Sequence, residues 1–285
     1  MPHLSSSARL PLLALLFVAG CGQQREPQAG NQAAPPEPAN ALAPAATPSP
    51  AATPTPAPTG SGAAIKADDP GLAFSYAWPA AAAAIPELDS WLRGNGEHLR
   101  REAAGRARSE IAAARKGGFD MHDHSYEETW KVAADGPALL ILQSEGYIFT
   151  GGAHGMPIVT TLFWDKAARR RLGLTDLFDT ARLVPAIRAG FCKALDDERA
   201  KRRGAPVDAK DSGGIDEFVR CVDPAKQIIL PVARRGGALD TVRVVIMPYE
   251  AGPYAEGIYQ LDLPVTEAVM AAVKPGYRAA FSVAR

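Results

Sequence analysis

The stretch Tyr147-Ile148-Phe149-Thr150-Gly151-Gly152-Ala153-His154-Gly155 carries three glycines and one histidine between two apolar runs, Ala138 to Phe149 and Ile158 to Trp164. Runs of this kind, bounded by glycine and rich in β-branched and aromatic residues, read as strands. Glycine tolerates positive φ and lets a second backbone come close, so the segment is a corner of special geometry between two strands. Whatever this chain folds into has to build a sheet on either side of it.

The rest of the folded part follows from that sheet. Upstream, Leu72 to Trp78 alternates as a short strand, and Ala80 to Ala84 with Pro86 to Ala114 read as helix, with Leu88, Leu92, Leu99, Ala103, Ala107 and Ile111 on one face. Gly94-Asn95-Gly96 predicts a kink or a break into two helices. Tyr126 to Ala133 is a strand, and Asp135-Gly136 is a hairpin turn into the run that ends at the corner, which makes the middle of the chain an antiparallel meander. Downstream come a helical entry at Leu174 to Phe178 and an amphipathic helix over Leu183 to Lys201, carrying Leu183, Ile187, Phe191 and Leu195. Ile215 to Cys221 is a helical turn. Strands follow at Gln227 to Val232, Val242 to Met247 and Tyr259 to Leu263, and Pro264 to Val273 is a last short helix. The order of elements predicts an α+β fold, an antiparallel sheet meander packed by amphipathic helices.

The first part of the chain is different in kind. Arg9, the apolar run Leu10 to Val18 and Val18-Ala19-Gly20-Cys21 read as a lipoprotein signal over residues 1–20, with Cys21 lipidated. Residues 21–66 are dominated by Ala, Pro, Thr and Ser and cannot bury enough apolar surface to offset their ordering entropy, so they read as a disordered tether. At about 3.1 Å per residue such a tether reaches on the order of 100 Å. Residues 67–165 form an N-terminal α+β region and 166–285 a C-terminal one. No later run reaches the roughly 18 apolar residues of a membrane span. The expected location is extracytoplasmic, held to a bacterial membrane by the lipid, and Gly22 after the cysteine favours the periplasmic face of the outer membrane in a Gram-negative host.

With 31 basic and 31 acidic residues the chain lacks a nucleic-acid footprint. Arg169-Arg170-Arg171 and Lys201-Arg202-Arg203 read as solvated faces. Cys192 and Cys221 read as a disulfide in an exported protein. Asp120, His122, Asp123 and His124 form the most metal-like cluster, but no second cluster completes it and a solvated loop explains it, so no metal and no cofactor is assigned. His154 has no nucleophile at motif spacing, and Ser144 lacks the strand-to-helix turn of a hydrolase elbow. Glu250 and Glu256 raise a glycosidase reading, which needs two carboxyls about 5–10 Å apart. A folded loop with Tyr249 and Tyr254 packed and the carboxylates bonded to backbone explains the same residues, and no catalytic residue is assigned.

The corner, the Trp164-Asp165 turn with Asp176-Leu177-Phe178, and Pro248-Tyr249-Glu250 with Gly252-Pro253-Tyr254-Ala255-Glu256-Gly257 together resemble the extracytoplasmic domain of the RsiV anti-sigma factor family. The same region accompanies the catalytic domain of the peptidoglycan deacetylase PdaC. The resemblance spans about residues 70 to 281 and implies a cell-envelope context and, as in RsiV, a lysozyme-like partner. The transmembrane and cytoplasmic parts of RsiV and the catalytic domain of PdaC have no counterpart here. The expectation is a membrane-tethered, non-enzymatic domain that binds peptidoglycan or a wall-active protein through Gly151, Gly152, His154, Gly155, Tyr249, Glu250, Tyr254 and Glu256. The alternatives are a wall-glycan hydrolase or deacetylase using His154, Glu250 and Glu256, and a structural envelope protein without a ligand. One shared site requires the corner and the tyrosine-rich loop to meet.

Overall fold

The computed structural model describes residues 62–208, 213–234 and 236–284; the expected signal segment, Cys21 and nearly all of the tether lie outside them. Strands β1 (Ala63–Asp69) and β2 (Leu72–Trp78) form an antiparallel hairpin. Ala63 to Lys66 therefore belong to a strand rather than to the expected tether. Ala63, Ile65 and Ala67 recur at every second position and rest on the core, which a strand needs and a tether does not.

Helix α1 (Ala80–Ala83) and helix α2 (Pro86–Lys116) then carry the chain to strand β3 (His124–Asp135). β3 runs parallel to β2, pairing Leu72 with His124 through Ala77 with Thr129. A parallel pair requires such a crossover. Contrary to expectation, α2 is continuous through Gly94-Asn95-Gly96. A Cβ on Gly96 would lie 2.7 Å from the Tyr76 ring and 2.8 Å from Ile65, so glycine permits the helix to approach the sheet closely. Asn95 Nδ2 donates to the Tyr76 hydroxyl at 3.2 Å. Trp130 Nε1 donates to the same oxygen at 2.8 Å, deep in the core.

Strands β4 (Leu139–Phe149), β5 (Met156–Asp165) and β6 (Arg170–Leu172) continue the sheet antiparallel, giving the order β1-β2-β3-β4-β5-β6. β4 is buried on both faces from Leu139 to Ser144, which accounts for its unbroken apolar run. Leu140 and Leu142 join the core under α2, whereas Leu139 and Ile141 join a second core on the other face. β6 pairs Arg170 with Asp165, so the sheet runs through the position expected to divide two regions. The Arg171 guanidinium lies 4.0 Å over the Trp91 ring, so this basic run is partly stacked on the protein and not only solvated.

Helices α3 (Leu174–Leu177) and α4 (Thr180–Arg203) precede a separate antiparallel sheet of β7 (Ile228–Val232), β8 (Thr241–Ile246) and β9 (Tyr259–Pro264), followed by helix α5 (Glu267–Ala272). Asp179 caps α4 by accepting from Ala181 N at 3.1 Å. Leu183, Ile187, Phe191 and Leu195 are buried as the periodicity predicts, packing with β8, β9 and the second face of β4 and β5. Cys192 on α4 is disulfide-bonded to Cys221. The fold is α+β, and among the described strands β2 and β3 pair parallel while the other pairs are antiparallel. Among the described residues no helix is long and apolar enough to cross a membrane.

Candidate functional site

The glycine corner closes β4 onto β5. Gly151 has φ +80, and a Cβ there would meet Met121 and the His122 carbonyl at 2.8 and 3.0 Å, so glycine is required on both counts. Gly155 is buried for a different reason. A Cβ on it would overlap the Ile148 carbonyl and sit 2.5 Å from the Tyr147 ring. Its peptide groups are held at both ends by tyrosine hydroxyls. Gly155 N donates to the Tyr147 hydroxyl at 2.8 Å, and the Tyr254 hydroxyl donates to Gly155 O at 2.8 Å. His154 Nδ1 lies 3.0 Å from the same carbonyl and donates to it in the Nδ1–H tautomer. The Tyr147 hydroxyl nearby, and to a lesser extent burial, holds the Tyr254 phenol above its ordinary value.

The corner and the tyrosine-rich loop therefore meet, across 99 residues of sequence. Their rings form a row. His154 and Tyr254 have centroids 4.2 Å apart with planes at 31°, and Tyr254 and Tyr249 follow at 5.8 Å and 34°. Tyr249 is half exposed and has φ +71, a conformation uncommon for a bulky side chain; Tyr249 N donates to Gly252 O at 3.0 Å in a turn that holds it. Tyr249 and Glu250 also line an open cavity of about 580 Å³ shared with the Asp216 to Gln227 segment. Three of the large apolar side chains left in water, Tyr147, Met156 and Tyr249, belong to the corner and this loop.

Glu256 does not share that surface. Its carboxylate accepts from Arg203 Nε and Nη2 at 2.7 and 3.1 Å and from the Tyr259 hydroxyl, largely out of solvent. Burial pushes the group upward, but the hydrogen bonds from Arg203 and Tyr259 and the nearby cationic charge outweigh it, and the carboxyl sits below its ordinary value. Burial first, and the bond to Glu256 second, raise Tyr259 to about 12. Glu256 is thus a structural anion held by Arg203 and Tyr259, while Glu250 lines the cavity, so the two carboxylates stand in different surroundings. The end of α4 is likewise not a solvated face. Arg203 is paired with Glu256, and Arg202 lies 4.0 Å over the Tyr259 ring and donates to the Glu256 carbonyl.

Arg199 is the residue that sequence reading missed. Its side chain is fully buried and donates to the carbonyls of Ala251 at 2.8 and 3.0 Å, Glu217 at 2.6 Å and Arg220 at 2.9 Å. One guanidinium thereby fixes α4, the tyrosine-rich loop and the segment before Cys221 in one place. Burial lowers its basicity, offset in part by Asp196. The available signal was position. Leu183, Ile187, Phe191, Leu195 and Arg199 recur every four residues, so the apolar stripe of α4 ends in an arginine. With the disulfide, Arg199 builds the wall on which Tyr249 and Glu250 stand.

The histidine-aspartate cluster is dispersed. Asp120 and Asp123 are exposed on the loop before β3, as is His122, whereas His124 is 3% exposed, with Nε2 3.5 Å from Glu110. Among the described residues no group of three or more His, Cys, Asp or Glu side chains is arranged to hold a metal. Ser144 is buried, and its hydroxyl accepts from Thr160 N at 3.0 Å.

No curated protein matches this chain. Solved structures similar to it include a DUF3298 family protein from Pseudomonas aeruginosa, at 21% identity, 78% coverage of this chain, 96% of the other and a TM-score of 0.44. Another is a DUF3298 family member from Bacteroides fragilis, at 16% identity, 77% and 94% coverage and a TM-score of 0.46. The part of the chain from β1 through the glycine corner to the start of β5, residues 65–157, matches the family model described as deacetylase PdaC.

Proposed function

We propose that this protein is an extracytoplasmic, lipid-anchored envelope protein whose α+β domain binds a cell-wall component or a wall-active protein, without catalysing a reaction on it. The observation that carries this reading is the junction of the corner with the tyrosine-rich loop through Tyr254 and Gly155, which leaves a row of rings at the surface. Exposed aromatic side chains on a rigid support are the usual anchors of recognition. The lipid anchor rests on the sequence around Cys21. A binding role also fits the fate of the candidate acid-base groups, since Glu256 is engaged by Arg203 and His154 is bonded to backbone. The test is co-sedimentation of the full chain, in detergent, with purified sacculi and capture on immobilised lysozyme. Binding to either that is lost in Tyr249→Ala supports the reading. Equal behaviour of that variant and the wild type, or no binding to either, refutes it.

A further inference from the structure

The outer end of the ring row suits one kind of ligand. Tyr249 is held in left-handed backbone, at a cost of about 1–2 kcal/mol, and yet half its surface stays in water. The turn closed by Tyr249 N and Gly252 O holds the backbone, and the Tyr254 ring supports one side of the exposed tyrosine. The ring is backed by Tyr254 and His154 and borders the open cavity of about 580 Å³, a size suited to a small organic ligand.

Beside the apolar Cys221 and Val222, the remaining lining carries charged groups of both signs: Asp216, Glu217, Asp223 and Glu250 with Arg220 and Lys226. Arg220 is paired with Asp216 at 3.0 Å and Asp223 with Arg188 at 3.4 Å, which leaves Glu217, Glu250 and Lys226 without an ion pair among the described residues. A wholly apolar ligand would have to strip water from these groups without replacing their hydrogen bonds. An anion such as a phosphate would face more carboxylates than cations. A ligand with a flat C–H face and a rim of hydroxyl and amide groups meets both demands, because its face stacks on the tyrosine ring and its rim bonds to carboxylate, ammonium and amide side chains. Gln227 lines the same cavity, and its amide oxygen, itself out of solvent, has no hydrogen-bond partner among the described residues.

We propose that this cavity is an oligosaccharide subsite, in which a pyranose ring stacks on Tyr249 and its polar rim is held by Glu250, Lys226 and Glu217. This rests on the binding function proposed above and narrows it to the sugar backbone of the ligand, with no peptide required. The experiment is calorimetric titration of the full chain in detergent with the tetramers of N-acetylglucosamine and of glucose, alongside lysozyme capture. The expected result is saturable binding of the N-acetylglucosamine tetramer, weakened tenfold or more in Tyr249→Ala and within about twofold of wild type in Tyr249→Phe, which keeps the ring. Circular dichroism melting of both variants guards against misfolding. Capture on lysozyme or sacculi with no heat from either tetramer overturns the subsite and leaves the wider binding function standing. Tetramer binding that is indifferent to Tyr249→Ala in a folded variant also overturns it. No interaction with tetramers, sacculi or lysozyme removes both.

Discussion

Tyrosines gather in two regions of this molecule and are used in opposite ways. Under α2, Tyr76 is wholly buried and its hydroxyl accepts from Trp130 and Asn95, while Tyr126, also buried, donates to Glu128 at 2.6 Å. Burial pushes Tyr76 up to about 12 and Tyr126 higher still. There both the ring and the hydroxyl belong to the core. At the corner, Tyr147 and Tyr254 also have bonded hydroxyls, but both bonds go to the backbone of one glycine, and the rings lie at or near the surface with Tyr249 beyond them. The difference separates holding a shape from presenting one. In the first region the whole aromatic area is buried in the core, whereas in the second the hydroxyls fix one glycine, the rings stack on one another, and the outermost ring, Tyr249, is left half exposed.

The strongest way to break this contrast is the same substitution in both regions. Tyr76→Ala removes a fully buried ring and is expected to cost about 3–5 kcal/mol. Tyr249→Ala, at a half-exposed position, is expected to change stability by less than about 0.5 kcal/mol. Urea denaturation midpoints of the two variants check this, and comparable losses would show that the corner rings are core after all. The next largest effect is expected at Gly155→Ala, where the added methyl meets Tyr147 and the Ile148 carbonyl. Overpacking of this kind costs about 1–3 kcal/mol. Amide hydrogen exchange should localise the loss to residues 147–156 and the loop around Tyr254. A loss spread evenly over the sheet would mean that the corner is not a separate device.

How much of this was legible in the sequence differs between the two regions. The corner stood out because three glycines between two apolar runs leave few alternatives, and the α4 face because Leu183, Ile187, Phe191 and Leu195 repeat at one spacing. β1 was hidden because Ala63 and Ala64, at its start, repeat the alanine-rich composition of the tether. Gly94-Asn95-Gly96 read as a helix breaker because local propensity is blind to a sheet that a helix must approach. Glu256 was grouped with Glu250 by proximity in the loop, yet its partners, Arg203 and Tyr259, lie on α4 and β9. Arg199 was obscure for a related reason: it bonds to carbonyls, and a carbonyl carries no mark in the sequence.

A finer comparison removes a single oxygen from each region. Tyr76→Phe leaves Trp130 Nε1 buried without an acceptor, and an unsatisfied buried donor costs about 1–3 kcal/mol. Tyr254→Phe removes one donor to Gly155 O, which His154 still reaches, so a loss of about 0.5–1.5 kcal/mol is expected. If Tyr254→Phe proves the more damaging of the two in thermal melts, the corner hydroxyl has a structural weight that its surroundings do not suggest.

The smallest expected effect concerns Glu256, which supports the loop from behind. Its carboxyl sits below the ordinary value in the folded protein, so its contribution is present above the unfolded pKa, about 4.3 for glutamate, and is lost as pH falls through the lower folded value. The stability gap between wild type and Glu256→Gln should therefore be constant near neutrality and shrink below about pH 4.3, because acid does to the wild type what the substitution does to the variant. Tyr249 and Glu250 would feel this only through the loop. A gap that already closes between pH 6 and 7 would mean that another group, and not this carboxylate paired with Arg203, governs the support of the exposed rings.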